Sequence, residues 1–289
     1  MKLWIIGSKG FLGSALSKLC VKKNIEFVGT GKEEADITHL DHLKKFSHTA
    51  PCEDVTHIVN CAAFTDLDLA EKNEEQAFLV NATGPENVGS VAQEMHAQMI
   101  HISTDYVFDG RLKRPYLESD ECHPINIYGK SKLEGEKNLL DICPSACIIR
   151  SSWLFGKGGK NFISSVFQKM QKETVLKVVS DQRGRPTFVE DLASVILELL
   201  CHSGIYHFAN QGEVSRFEIA QEIRKRALAL KIPLVCQEIV PITSEAFPTP
   251  AKRPSYSVLD TKKVESILGT HPRDWRDALN EYLCAIKTS

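Results

Sequence analysis

Tyr128 and Lys132 stand four residues apart in the run Tyr128-Gly129-Lys130-Ser131-Lys132. On a helix that spacing puts both side chains on one face. An ammonium beside a phenol favours the phenolate and lowers the tyrosine pKa from its ordinary ~10. A phenol tuned in that way can exchange a proton near neutral pH. Upstream, Ile100-His101-Ile102-Ser103-Thr104-Asp105-Tyr106 reads as a buried strand (Met99 to Ile102) running out into a polar tip. Thr104, at that tip, can offer a hydroxyl to the oxygen that Tyr128 serves. The chemistry indicated is proton delivery to a carbonyl oxygen.

The elements that must position these groups follow from the rest of the chain. Leu3 to Ile6 is a short apolar strand, followed at once by Gly7, Gly10, Phe11, Leu12 and Gly13. A glycine-rich turn between a strand and a helix lets backbone N–H groups approach a pyrophosphate. The spacing is G-x-x-G-x-x-G, opening a helix over Phe11 to Cys20. A second strand is read over Ile25 to Gly29. The acid that would hold a ribose 2′-hydroxyl is missing after it, and Lys32 stands there instead. A lysine suits a 2′-phosphate, so NADPH is expected as cofactor, with NADH as the alternative; a solvated loop charge is the other reading of Lys32. Asp36, with Ile37 beside it, either meets the adenine end of the cofactor or begins a helix over Leu40 to Phe46. A third strand, Thr56 to Asn60, ends in Cys61, Ala62, Ala63, Phe64 and Thr65, small residues against which a ligand can lie. Close helix–strand packing explains them as well. Glu74 to Asn81 and Pro85 to His96 read as helices, with Asn81 either bridging strands or capping a turn. The fifth strand is Ala146 to Arg150.

This alternation predicts a doubly wound parallel sheet. Beyond Arg150 the pattern changes: a Gly- and Lys-rich loop over Lys157 to Asn161, a helix Phe162 to Gln171, a strand Val175 to Val179, a turn Asp181 to Pro186, a helix Val189 to Leu200 and a strand Gly204 to Phe208. Ser215-Arg216-Phe217-Glu218 has the capping-box pattern of a helix start. The expected division is a dinucleotide-binding domain over 1–152, with returning segments around 174–208, and a mainly substrate-binding domain over 153–289, interleaved with it.

Composition limits the classes of function. The 289 residues are 43% hydrophobic and 25% charged, as in globular proteins. With 35 basic and 37 acidic residues the formal charge is −2, which argues against a general nucleic-acid binder. No apolar run approaches the ~20 residues of a membrane helix, and none near the start resembles a signal peptide. Nine cysteines without a Cys-x-x-Cys pair read as free thiols in a reducing cytoplasm.

Gly7/Gly10/Gly13, Asn60 to Ala63, Ser103 to Phe108 and Tyr128-x-x-x-Lys132 together resemble the extended short-chain dehydrogenase/reductase superfamily, and within it the dTDP-4-dehydrorhamnose reductase family. The likeness runs over nearly the whole chain, through R-S-S-W-L-F-G at 150–156, D-Q-R-G-R-P-T at 181–187 and P-T-P-A-K-R-P-S-Y-S-V-L-D at 248–260. It implies a Rossmann sheet with a smaller C-terminal substrate-binding domain. It implies a catalytic trio of Thr104, Tyr128 and Lys132, and NADPH held by the glycine-rich turn, Ala62, Ala63, Thr65, Tyr128 and Lys132. A nucleotide sugar would be held by Thr104, Asp105, Tyr106, Trp153 and Arg253, the last at its diphosphate. The reaction implied is reduction of the 4-keto group of a nucleotide-linked 4-keto-6-deoxy sugar. Some relatives use Mg²⁺ at a dimer contact. Glu190 can serve there, but Ala15 replaces an acid, so no metal is assigned and a homodimer is left open. An NADP-binding regulatory subunit resembling that of methionine adenosyltransferase, and a nucleotide-sugar epimerase, remain as alternatives.

Overall fold

The computed structural model describes residues 1–159 and 161–287. Lys160, within the expected 157–161 loop, lies outside the described residues.

The first five strands of the main sheet are β1 (Lys2–Ile6), β2 (Glu26–Thr30), β3 (His57–Asn60), β4 (Gln98–Thr104) and β5 (Cys147–Ser151). The sixth is Gly204–Phe208 at one edge, and the order across the sheet is Gly204–Phe208, β5, β4, β3, β1, β2. All pairings are parallel. The period of two sorts the strand side chains between the two faces of the sheet. Leu3, Ile5, Val59, Ile100 and Ile149 face the helices Phe11–Lys22 and Val189–Glu198. Trp4, Ile6, Ile58, Met99 and Ile148 face the other side, with Val88, Val91 and Leu139.

The strand order reverses between β1 and β3, which opens a crevice beyond their C-terminal ends. The turn after β1 fits this crevice only because its residues lack side chains. A Cβ on Gly13 would stand 2.2 Å from the Gly7 carbonyl oxygen, and one on Gly7 would stand 2.9 Å from the Ala62 nitrogen. Helix, turn and β3 exit therefore meet backbone to backbone.

The helices expected over 74–81 and 85–96 form one run: Glu74–Phe78 and Gly84–Glu94 are joined by a wide π turn at Leu79–Thr83. An additional short helix, Leu67–Lys72, precedes them. Asn81 is a bridge rather than a cap. Its side chain takes the Phe64 N–H at 2.8 Å and gives protons to the Phe64 carbonyl and Ser131 Oγ, each at 3.0 Å. It thus ties the loop after β3 to the helix Ile127–Ile142.

A second core gathers Phe155, Phe167, Phe188, Trp275, Tyr282 and neighbours from the later part of the chain. The return to the main sheet is narrower than the expected 174–208. Helix Val189–Glu198 and strand Gly204–Phe208 rejoin it, but Val175–Val179 pairs with Glu238–Ile242 in a separate sheet. The physical reason is its alternation: Leu176 and Val178 are buried in the second core, and the edge place beside β5 is filled by Gly204–Phe208. The Ser215 capping box forms as expected, with Ser215 N to Glu218 Oε2 at 2.7 Å and Glu218 N to Ser215 Oγ at 3.1 Å, and starts the helix Arg216–Ala229.

Candidate active site

β4 delivers Thr104 to the C-terminal edge of the sheet, and a single 3₁₀ turn, Asp105–Val107, follows it. Helix Ile127–Ile142 lies against that edge. Its N-cap is Asn126, whose side chain accepts the Gly129 N–H at 2.7 Å. A Cβ on Gly129 would stand 2.1 Å from the Tyr106 carbonyl oxygen, so glycine is what allows the helix to close on the 3₁₀ turn. Further along, Glu136 binds Arg150 of β5 at 2.6 Å and accepts a proton from Ser103. Both charges are buried. A buried pair with matched hydrogen bonds fixes one register of helix on sheet.

This frame brings Thr104, Asp105, Tyr106, Tyr128 and Lys132 together, all buried. The Tyr128 hydroxyl faces that of Thr104, whose Oγ1 also donates to Asp105 Oδ1 at 3.2 Å. The Tyr106 and Tyr128 rings meet edge to face with centroids 5.9 Å apart. Burial raises the Asp105 carboxyl to about 6, and its Oδ2 has no hydrogen-bond partner among the described residues. Such an acceptor beside the Thr104 hydroxyl is suited to a ligand hydroxyl.

The electrostatics of the Tyr–Lys pair differ from the expectation. Burial pushes the Tyr128 phenol well above its ordinary range, and the Thr104 hydrogen bond only partly offsets this. Lys132 does not act on the phenol here. Its Nζ is 2.7 Å from the Ile102 carbonyl and 3.0 Å from His101 Nε2, and burial pulls its own pKa down to about 8. The i,i+4 rule put both residues on one face but could not see that β4 offers Lys132 closer partners.

A groove of about 700 Å³ runs from the glycine turn to Phe64, lined by Gly7, Gly10, Lys32, Asp36, Ile37, Ala62 and Ala63 among others. Phe64 packs on the Tyr106–Tyr128 cluster, which joins groove to site. Leu12 and Gly13 are instead buried in the first turn of helix Phe11–Lys22, Phe11 packs toward Gly159, and Thr65 is exposed beyond the lining. The helix starts at Gly10, with no side-chain cap and no acid in its first turn. Its leading N–H groups fit a phosphate, as the fold would require of a dinucleotide site. Asp36 does not start the next helix. Its Oδ1 accepts from Thr38 N–H at 3.0 Å, while Lys32 stands 3.9 Å from its carboxylate and is largely exposed.

Trp153 holds a left-handed backbone (φ 47°), a strained state for an aromatic residue. Its ring packs on the Gly184 backbone, where a Cβ would stand 2.7 Å away. The guanidinium of Arg216 covers it at 3.7 Å from the ring centroid and also lies 4.6 Å from Phe162. Arg216 hydrogen-bonds Tyr106 and feels the charge of Asp105. Arg216 was visible in the sequence only as part of a helix start; no local pattern marks it as a site residue. Arg253 is engaged by an ion pair, Nη1 at 2.7 Å and Nη2 at 3.0 Å from the two oxygens of Asp68. Its charge is nevertheless felt at Tyr106 and Arg216.

The family model described as the RmlD substrate binding domain matches residues 1–288. A dTDP-4-dehydrorhamnose reductase of Aggregatibacter actinomycetemcomitans is 37% identical over 287 residues, covering 96% of this chain and 97% of its own. The crystal structure of a dTDP-4-dehydrorhamnose reductase from Clostridium acetobutylicum superposes with a TM-score of 0.92 at 37% identity, covering 99% of this chain and 100% of that one. Another, from Bacillus anthracis and in complex with NADP, gives a TM-score of 0.90 at 31% identity over 98% of this chain and 99% of its own.

Proposed function

The chain belongs to the RmlD substrate binding domain family, and from that premise we propose that it is an NADPH-dependent oxidoreductase. Its substrate is the 4-keto group of a nucleoside-diphosphate-linked 4-keto-6-deoxy sugar, dTDP-4-dehydrorhamnose first among them, and its product dTDP-rhamnose. The observation that carries the reading is the facing of the Thr104 and Tyr128 hydroxyls, beside Phe64 of the groove wall.

The groove would hold the cofactor by the Gly7–Gly13 turn at the phosphates, Lys32 at the 2′-phosphate and Ala62 and Ala63 along the wall. Bound there, NADPH supplies the hydride for the carbonyl carbon. As the carbonyl oxygen gains charge, donors aimed at it lower the barrier more than they stabilise the ground state. The Thr104 hydroxyl, turned from Asp105 to that oxygen, donates to it and orients it. Tyr128 transfers its phenolic proton to the same oxygen. Burial holds the Tyr128 phenol protonated but makes it a weaker acid, which the Thr104 hydrogen bond partly offsets. Lys132, once charged and released from the Ile102 carbonyl, would stabilise the phenolate left behind. Asp105 and Tyr106 hold the sugar, and Trp153, with the Arg216 guanidinium laid over its ring, backs the wall beside them.

The test is NADPH oxidation with a panel of 4-keto sugar nucleotides, repeated with NADH, with the product identified by NMR. Tyr128→Phe keeps the ring and removes the proton. It should leave NADPH binding intact and lower kcat by roughly 10²–10⁴-fold. Near-full turnover in Tyr128→Phe would refute the assignment.

A further inference from the structure

Three fully buried polar side chains lie in a row behind the site: Asn60 at the end of β3, His101 on β4, and Lys132. We propose that Asn60 and His101 couple the charge of Lys132 to the tautomer of His101, so that the neutral amine fits the row as it stands and Lys132 charges only when His101 changes tautomer.

The reasoning starts from a donor that cannot turn round. The Ala62 backbone N–H is given to Asn60 Oδ1 at 3.0 Å. That fixes the amide, so the atom Asn60 presents to His101 Nδ1, at 3.3 Å, is its nitrogen. An amide nitrogen only donates, so Nδ1 must be the accepting, unprotonated ring atom. The ring proton of a neutral His101 then sits on Nε2, 3.0 Å from Lys132 Nζ. An N–H aimed at Nζ needs a lone pair there, which an ammonium lacks and an amine has. A neutral Lys132 satisfies every contact: it accepts from His101, donates one proton to the Ile102 carbonyl at 2.7 Å, and keeps one for the site.

Charging Lys132 reverses the row. Nζ must then donate to Nε2, the ring proton moves to Nδ1, and Nδ1–H meets the Asn60 amide nitrogen head on. Asn60 relieves this only by giving up the Ala62 N–H. The proton count is simple: the pair gains one proton from solvent, Lys132 carries it, and His101 keeps one throughout. The other titratable groups that act on Lys132 are Cys61, beyond the end of β3, and Glu136 on its own helix; Tyr128 shares that helix without acting on Lys132. Glu136 favours the charged form, but its carboxylate is already shared with Arg150. Burial lowers Lys132 to about 8, which brings its charge change near neutral pH, and holds His101 well below its ordinary value, so the ring stays neutral while Lys132 titrates. His101 and Asn60 touch no reacting atom and act as positioning residues. The inference depends on the proposed reductase reading only where Lys132 must be charged during turnover.

The experiment is NMR of the ligand-free protein with isotope-labelled histidine and lysine, the His101 signals being identified by their loss in His101→Gln. On raising the pH, His101 should pass from the Nδ1–H to the Nε2–H tautomer at the midpoint where Lys132 loses its proton. A single tautomer throughout, separate midpoints, or an imidazolium in that range would overturn the proposal. In Asn60→Asp the carboxylate accepts both Ala62 N–H and Nδ1–H, so the Lys132 midpoint should rise by about one pH unit or more. If that variant does not fold, His101→Gln, whose amide can accept from an ammonium, should also raise the midpoint. An unchanged midpoint in whichever variant folds overturns the proposal. These readouts need no substrate, so they stand or fall separately from the activity.

Discussion

Replacing Arg216 tests whether the wall of the sugar pocket is built by one residue that no motif announced. The guanidinium is half-buried, stacked 3.7 Å from the Trp153 ring centroid and 4.6 Å from that of Phe162, and bonded to Tyr106. Each cation–π contact is worth about 1 kcal/mol at this exposure. A hydrogen bond to a charged group adds about 1.5–3 kcal/mol. These terms share one side chain and do not add in full, so Arg216→Ala should cost about 1–3 kcal/mol of stability. The functional part is separate. With Arg216 gone, Trp153 and Tyr106 must be ordered by the sugar itself, at about 0.5–1.5 kcal/mol per side chain. For the two side chains together KM for the nucleotide sugar should therefore rise about 5- to 150-fold, with kcat changed little, since 1.4 kcal/mol is about tenfold. Arg216→Lys keeps the charge but not the planar stack, and should fall between. The assay is steady-state kinetics at saturating NADPH beside thermal melting of each variant. A lowered Tm with unchanged KM would show that Arg216 only cements the second core.

Gly13→Ala places a Cβ 2.2 Å from the Gly7 carbonyl oxygen, and should destabilise the fold by about 1–3 kcal/mol and abolish the stabilisation that NADPH gives in thermal melts; an NADPH-induced shift equal to that of the parent would contradict this. Lys32→Glu should weaken NADPH about fivefold or less and spare NADH, because an exposed charge pair is worth ~1 kcal/mol or less; equal responses would remove Lys32 from the 2′-phosphate. Arg253→Ala should weaken binding of a plain nucleoside diphosphate about tenfold, and Asp68→Asn, which frees the guanidinium, should strengthen it, both read by calorimetry. No change in either variant would leave Arg253 as a pin between its loop and helix Leu67–Lys72.

The local part of this protein was legible in the sequence because it is written in short periods. Buried runs such as Leu3 to Ile6, the glycine turn after them, the Ser215 capping box and the Tyr128–Lys132 spacing depend on neighbours within a few residues. They predicted the parallel sheet, and they put Thr104 at a strand tip and Tyr128 and Lys132 on one helix face. Pairings across long stretches of chain were not legible, because packing decides them. Val175–Val179 reads as any strand until Glu238–Ile242 arrives beside it. Arg253 reads as a free cation until Asp68 takes it, and Arg216 as a helix start until Trp153 is laid under it. Lys132 reads as a partner for Tyr128 until β4 supplies the Ile102 carbonyl and His101 within 3.0 Å. A helix period fixes which face a side chain takes, but only the tertiary structure fixes what stands opposite it. In a site this buried, that opposite partner sets the charge.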